Sequence, residues 1–153
     1  MKKPPDLEKL ENILRSSAIV SGGFLGTDMR GLDEVIETDL AELEGLGFTI
    51  INIVSRMKEF TNTAIPALGN WIAFEDKYQI RVEESKGVLT CPWPHPGTFP
   101  KRITYVRNLQ TNDSIKWSDL NIHLIESHNF FEGKGSPYRI EPKELVKILF
   151  NCC

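Results

Sequence analysis

Cysteine is scarce in this chain. Of its three, Cys152 and Cys153 are adjacent at the C-terminus and Cys91 stands alone. An odd count in that arrangement excludes a disulfide framework and points to a reducing cytoplasm. Long apolar runs are missing as well. No stretch approaches the roughly 18 apolar residues of a membrane span. The opening MKKPPDLEKLE lacks the apolar region of a secretory leader. No membrane partner is expected. Neither sign of charge is in large excess: a formal net charge of −3 gives no general attraction to phosphate backbones, so a nucleic-acid partner is not expected. Lys101, Arg102 and Arg107 are the candidates for a local basic patch. Internal repeats and low-complexity segments are absent.

What is present describes a globular protein. With 41% hydrophobic and 25% charged residues, the 153-residue chain can fill a core and need not stay disordered. The pattern predicts one α+β domain over 1–153, helical over 6–65, a β-meander over 70–117, and helical again over 118–150. In the first part, Leu7, Leu10, Ile13 and Leu14 form one stripe of a short helix. Leu32, Val35, Ile36, Leu40, Leu43 and Leu46 form another. The opposite face of that second helix carries Asp33, Glu34, Glu37, Asp39, Glu42 and Glu44. Gly47 suits its C-terminal close, and Thr49 suits the cap of a third helix reaching Phe60.

From Asn70 the character turns to β. Trp71–Phe74 and Tyr78–Glu83 have strand composition. Glu84–Gly87 reads as a turn that brings Val88–Cys91 back as a partner strand. Pro92, Pro94, Pro96 and Pro100 predict an ordered loop over Cys91–Lys101. Arg102–Leu109 and Ser114–Trp117 then form a hairpin. Ser118 caps a helix running to about His128, and Pro142 starts the last one.

All three histidines and Cys91 fall in two stretches, CPWPHPG and WSDLNIHLIESH. Cys91, His95, His123 and His128 offer one thiolate and three imidazoles, a donor set that suits zinc. The histidine pair has the spacing of the second half of a zinc finger. Two features depart from that motif. No second cysteine lies near Cys91, and five helical residues rotate two side chains about 140° apart. His123 and His128 should therefore diverge unless the helix ends between them.

Other chemistry fits less well. HLIESH has one residue too many for the metallopeptidase pattern H-x-x-E-H, which moves the second histidine off the required face. Cys91 as a nucleophile, with His95 or His123 as base, would need a lowered pKa and access, and the sequence signals neither. Leu32–Phe60 has the lengths of a helix-turn-helix, yet its first helix is strongly acidic and its second offers only Arg56 and Lys58. Gly133–Ser136 could aim backbone N–H groups at an anion, with Lys134, Ser136 and Arg139 as ligand-binding residues. It lacks the spacing of a phosphate-binding P-loop, and a plain turn is the competing reading.

CPWPHPG, WSDLNIHLIESH and GKGSPYR together resemble a family of small bacterial cytosolic proteins of unassigned function. The resemblance implies a cytoplasmic location and supplies no catalytic residues to carry over. Two functions follow from the residues. One is a metal- or small-ligand-binding domain built from the proline-rich loop and the histidine-bearing helix. The other is a non-enzymatic module that presents its acidic helical face to a protein partner.

Overall fold

A computed structural model describes residues 5–17 and 22–151. The element order is α1 (Pro5–Arg15), α2 (Leu32–Gly45), α3 (Ile50–Ala64), β1 (Ile72–Phe74), β2 (Tyr78–Thr90), β3 (Thr98–Asn108), β4 (Asp113–Ser118), α4 (Asp119–His128) and α5 (Pro142–Phe150). The strands form one antiparallel sheet in sequential order, β1-β2-β3-β4. The fold is α+β, as the alternation of helical and strand patterns implies. No helix among the described residues is long and apolar enough to cross a membrane.

The helix ends follow the sequence signals. The Thr49 hydroxyl accepts the Asn52 N–H while the Asn52 side chain accepts the Thr49 N–H, and Ser118 and Asn121 repeat this reciprocal cap on α4. Gly47, just beyond α2, has φ +84°, the left-handed conformation that closes a helix without steric cost. Gly31, at the N-terminus of α2, supplies no side-chain cap. There Glu11 accepts the Leu32 N–H at 2.8 Å, which satisfies an orphan donor. That contact rotates α1 from its expected stripe: Glu11 is buried and Ile13 is exposed.

The core has two parts. Phe60, Tyr78, Ile80, Val106, Trp117 and Leu149 belong to the larger, packed between the sheet and α3 and α5. Within it the Trp117 indole donates to Thr61 Oγ1 (2.9 Å), which lies 2.6 Å from Thr104 Oγ1, so these buried polar groups satisfy one another. The smaller part gathers Leu14, Phe24, Leu25, Val35, Cys91, Leu120, Leu124 and Phe130. Helix α4 lies between them, giving Ile122 and Ile125 to one and Leu120 and Leu124 to the other.

Three expectations are corrected. The chain does not turn back at Glu84–Gly87. β2 continues to Thr90 and pairs with β3 along its whole length, with a bulge between Ser85 and Val88. Gly87 absorbs the irregularity at φ +100°. Pro100 is in the strand rather than the loop, opposite Val88 at the bulge, where its missing N–H interrupts no regular ladder. Asp39 is not on an exposed acidic face. The segment entering α5 crosses α2 there, and Asp39 is buried in a two-pronged ion pair with Arg139.

Candidate metal centre

The loop between β2 and β3 begins at Cys91, whose side chain is buried in the smaller core. Three prolines, Pro92, Pro94 and Pro96, restrict the backbone that follows. The His95 N–H donates to the Trp93 carbonyl at 2.9 Å, which turns the imidazole back toward α4. His123 and His128 come from that helix, and His128 is its last residue before Asn129 closes it in a left-handed conformation.

These side chains converge. Cys91 Sγ is 3.4 Å from His128 Nε2, His128 Nε2 is 3.2 Å from His95 Nε2, and His95 Nε2 is 3.1 Å from His123 Nε2. One ligand atom from each of the four lies within 4.8 Å of every other. The expected divergence of His123 and His128 does not occur, although the helix continues through both. Their ring centroids are 5.2 Å apart and nearly perpendicular, and both reach the His95 ring. Two flanks of the last helical turns thus close over a histidine from the loop.

Three of the contacts match the separations that one ion imposes. Tetrahedral zinc with bonds of about 2.0–2.1 Å to nitrogen and about 2.3 Å to sulfur separates two nitrogens by about 3.3 Å, and sulfur from nitrogen by about 3.6 Å. The contacts above differ from those separations by a few tenths of an ångström. Neighbouring groups orient the rings. His95 Nδ1 is 3.0 Å from the Pro96 carbonyl, which can only accept, so Nδ1 carries the proton and Nε2 keeps its lone pair. His123 Nδ1 is 3.4 Å from Ser127 Oγ. The Trp93 ring stacks on His128 at 4.1 Å between centroids, 8° from parallel, and Phe99 packs on His123 at 4.3 Å.

Electrostatics prepare the same atoms. Burial first, and then the charges of His123 and His95, push His128 down to about 4. Burial and the neighbouring His95 lower His123 as well. Both rings are therefore held neutral, the form that binds a metal. Burial raises the Cys91 thiol, against a backbone hydrogen bond from Trp93. A cation at the centre of the cluster would offset that cost by stabilising the thiolate.

Of the residues expected to bind an anion, Arg139 and Ser136 have partners within the fold. Arg139 donates to both Asp39 oxygens, to Glu141 and to the Glu132 carbonyl. Ser136 is buried, its hydroxyl donating to Glu132 Oε1 at 2.7 Å. The Lys134 side chain is exposed, and its N–H donates to Asp28 Oδ2. The glycines of this loop serve a close crossing with residues 24–27. A Cβ on Gly133 would sit 2.2 Å from the Leu25 carbonyl oxygen, and one on Gly135 would sit 2.3 Å from Thr27 Oγ1. Across the crossing Gly133 N–H donates to the Phe24 carbonyl and Thr27 N–H to the Lys134 carbonyl.

Two residues of note carry little signal in the sequence. Trp93 lies between the two ligands of CPWPHPG, and that position was its only signal. Glu132 is a buried carboxylate beside the pair Phe130–Phe131, itself fully buried. A charge attached to an aromatic run is a signal, but it does not say where the charge points. The chain matches no known protein family, no curated protein and no solved structure.

Proposed function

We propose that this protein is a zinc-binding domain in which Cys91, His95, His123 and His128 hold one ion and fasten the proline-rich loop to α4. The observation that carries this reading is the convergence of one sulfur and three ring nitrogens within 4.8 Å. A donor set without oxygen disfavours magnesium and calcium, and one thiolate with three imidazoles suits zinc. Four protein ligands leave no open position for a water or substrate, so the ion is structural rather than hydrolytic. A free thiol as ligand suits a reducing compartment, and we place the protein in the cytoplasm. Elemental analysis of protein purified without a metal-affinity tag tests the reading: about one zinc per chain is expected, and none after Cys91→Ala combined with His128→Ala. Metal-free wild-type protein that also fails to take up cobalt in a tetrahedral thiolate spectrum would refute it.

A second reading keeps the acidic face of α2. Asp33, Glu34, Glu37 and Glu44 are exposed, and none forms an ion pair among the described residues. Such a face suits a basic protein partner. Its binding would weaken as salt rises and would not depend on zinc.

A further inference from the structure

A cavity of about 340 Å³ opens between the β3–β4 pair and the loop that follows α4. It shares none of the four metal ligands. Ile103 and Ser118, paired across β3 and β4, form one wall. Phe24, Leu120 and Tyr138 form others, and Glu132 is an acidic residue of the lining. Pockets that take small molecules have this composition, mostly apolar with a few convergent polar groups, and run from roughly 300 to 1,000 Å³. This one is at the small end, with room for one ring and a short tether.

Charge decides what chemistry it would take. Glu132 is 3% exposed. Its carboxylate accepts hydrogen bonds from two neutral groups, Ser136 Oγ at 2.7 Å and Asn121 Nδ2 at 2.5 Å. No cation among the described residues hydrogen-bonds to it. Arg139 is near, but it donates to the Glu132 backbone carbonyl and turns its guanidinium to Asp39 and Glu141. Arg102, which also lines the cavity, is matched by Glu84 at 3.0 Å and Asp119 at 2.8 Å. Lys101 is exposed at the mouth, where water screens it. The carboxylate is the unmatched charge inside. Burial pushes its pKa up to about 7, against hydrogen bonds from Ser136 and Asn121 and the charge of Arg139. A carboxylate oxygen has more than one lone pair, so each keeps capacity for a further donor.

We propose that this cavity binds a small primary amine with an apolar body, its ammonium donating to Glu132 and its body lying against Phe24, Ile103, Leu120 and Tyr138. An ammonium supplies the cation the buried carboxylate lacks, and a charge-assisted hydrogen bond in a low-dielectric site is stronger than a neutral one. A neutral alcohol of the same shape would fill the same walls without meeting the charge. A carboxylate of that shape would be repelled at the floor and could reach only Lys101.

The test uses the full chain as purified and three probes of one shape: 2-phenylethylamine, 2-phenylethanol and 3-phenylpropionate. Binding is read by calorimetry at pH 8, where Glu132 is ionised, with amide chemical shifts to locate it. The amine should bind at least tenfold tighter than the alcohol, with shifts at Ile103, Leu120 and Glu132. Glu132→Gln should remove that preference. Ile103→Trp, which puts a larger side chain on the cavity wall, should abolish binding of the amine and the alcohol alike. The contrast between probes and the Ile103→Trp result decide the matter even if Glu132→Gln does not fold. Equal affinity for amine and alcohol, preference for the acid, survival of binding in Ile103→Trp, or no binding of the amine at millimolar concentration would each overturn the proposal.

Discussion

His95 and His123 bring their Nε2 atoms to 3.1 Å across 28 residues of sequence, one from a proline-rich loop and one from a helix face. Between them the chain completes β3 and β4. The hairpin returns α4 to the loop that precedes it, because sequential antiparallel strands keep their connections on neighbouring edges. The sheet thus sets the distance, and the loop's prolines limit the conformations in which His95 can face it.

Metal removal should loosen the protein. If one ion fastens the loop to α4, its binding free energy is also folding free energy. Chelation should lower the thermal midpoint, and returning zinc should restore it. Replacing His128 by Ala should weaken zinc by more than the roughly 10–100-fold that changes around metal ligands cost. Competition with a colorimetric chelator measures this. An unchanged affinity would remove His128 from the site.

The glycine crossing predicts an unequal pair of substitutions. Gly133→Ala places a methyl group against the Leu25 carbonyl, backbone that cannot move aside cheaply. It should cost roughly 1–3 kcal/mol or somewhat more. Gly47→Ala meets nothing within 4 Å and should cost only the left-handed penalty, about 1–2 kcal/mol. Urea midpoints at constant slope would give the order, and a reversed order would contradict the crossing.

Arg139 and Asp39 form a pair in which both side chains are almost fully buried. Arg139→Ala leaves a carboxylate without its cation and should cost roughly 3–5 kcal/mol. Removing both groups should cost less than the sum of the two single changes. A double-mutant cycle in denaturant tests this, and strict additivity would mean the pair is not coupled.

Glu132 should make stability fall as pH rises. Its folded pKa, about 7, lies above the ordinary 4.5. The folded state therefore holds the proton more tightly than the unfolded state. That contribution is complete below about pH 4.5 and is lost as pH climbs through 7. At about 1.4 kcal/mol per pKa unit the loss is at most about 3.5 kcal/mol. Glu132→Gln cannot titrate, so its stability relative to wild type should grow between pH 5 and 8. Parallel stability profiles for the two proteins would show that burial does not raise this carboxyl.

Local signals in the sequence were reliable where the cause was local. Thr49, Ser118 and Gly47 fix helix ends through their own hydrogen bonds or backbone angles, and the structure places them as read. The apolar stripe of α2 buries Leu32, Val35 and Leu43. Signals failed where a distant segment decided the outcome. Asp39 looked solvent-facing until Arg139 arrived from 100 residues away. Glu84–Gly87 reads as a turn, and pairing with β3 makes a bulge between Ser85 and Val88 instead. The same limit applied to the site. Spacing along α4 suggested that its two histidines part, and only the position of the loop shows them meeting on His95.

The stack of Trp93 on His128 gives the centre an optical signature. An indole in contact with a metal ligand exchanges excitation with whatever that ligand holds. The other two tryptophans occupy different settings: Trp117 is buried with its N–H on Thr61, and Trp71 lies under the Arg107 guanidinium at 3.8 Å. Cobalt or copper in place of zinc should therefore quench mainly Trp93. Trp93→Phe should remove that response while leaving emission from the other two. If the centre holds an ion, the fluorescence of the protein itself then becomes a gauge of which one.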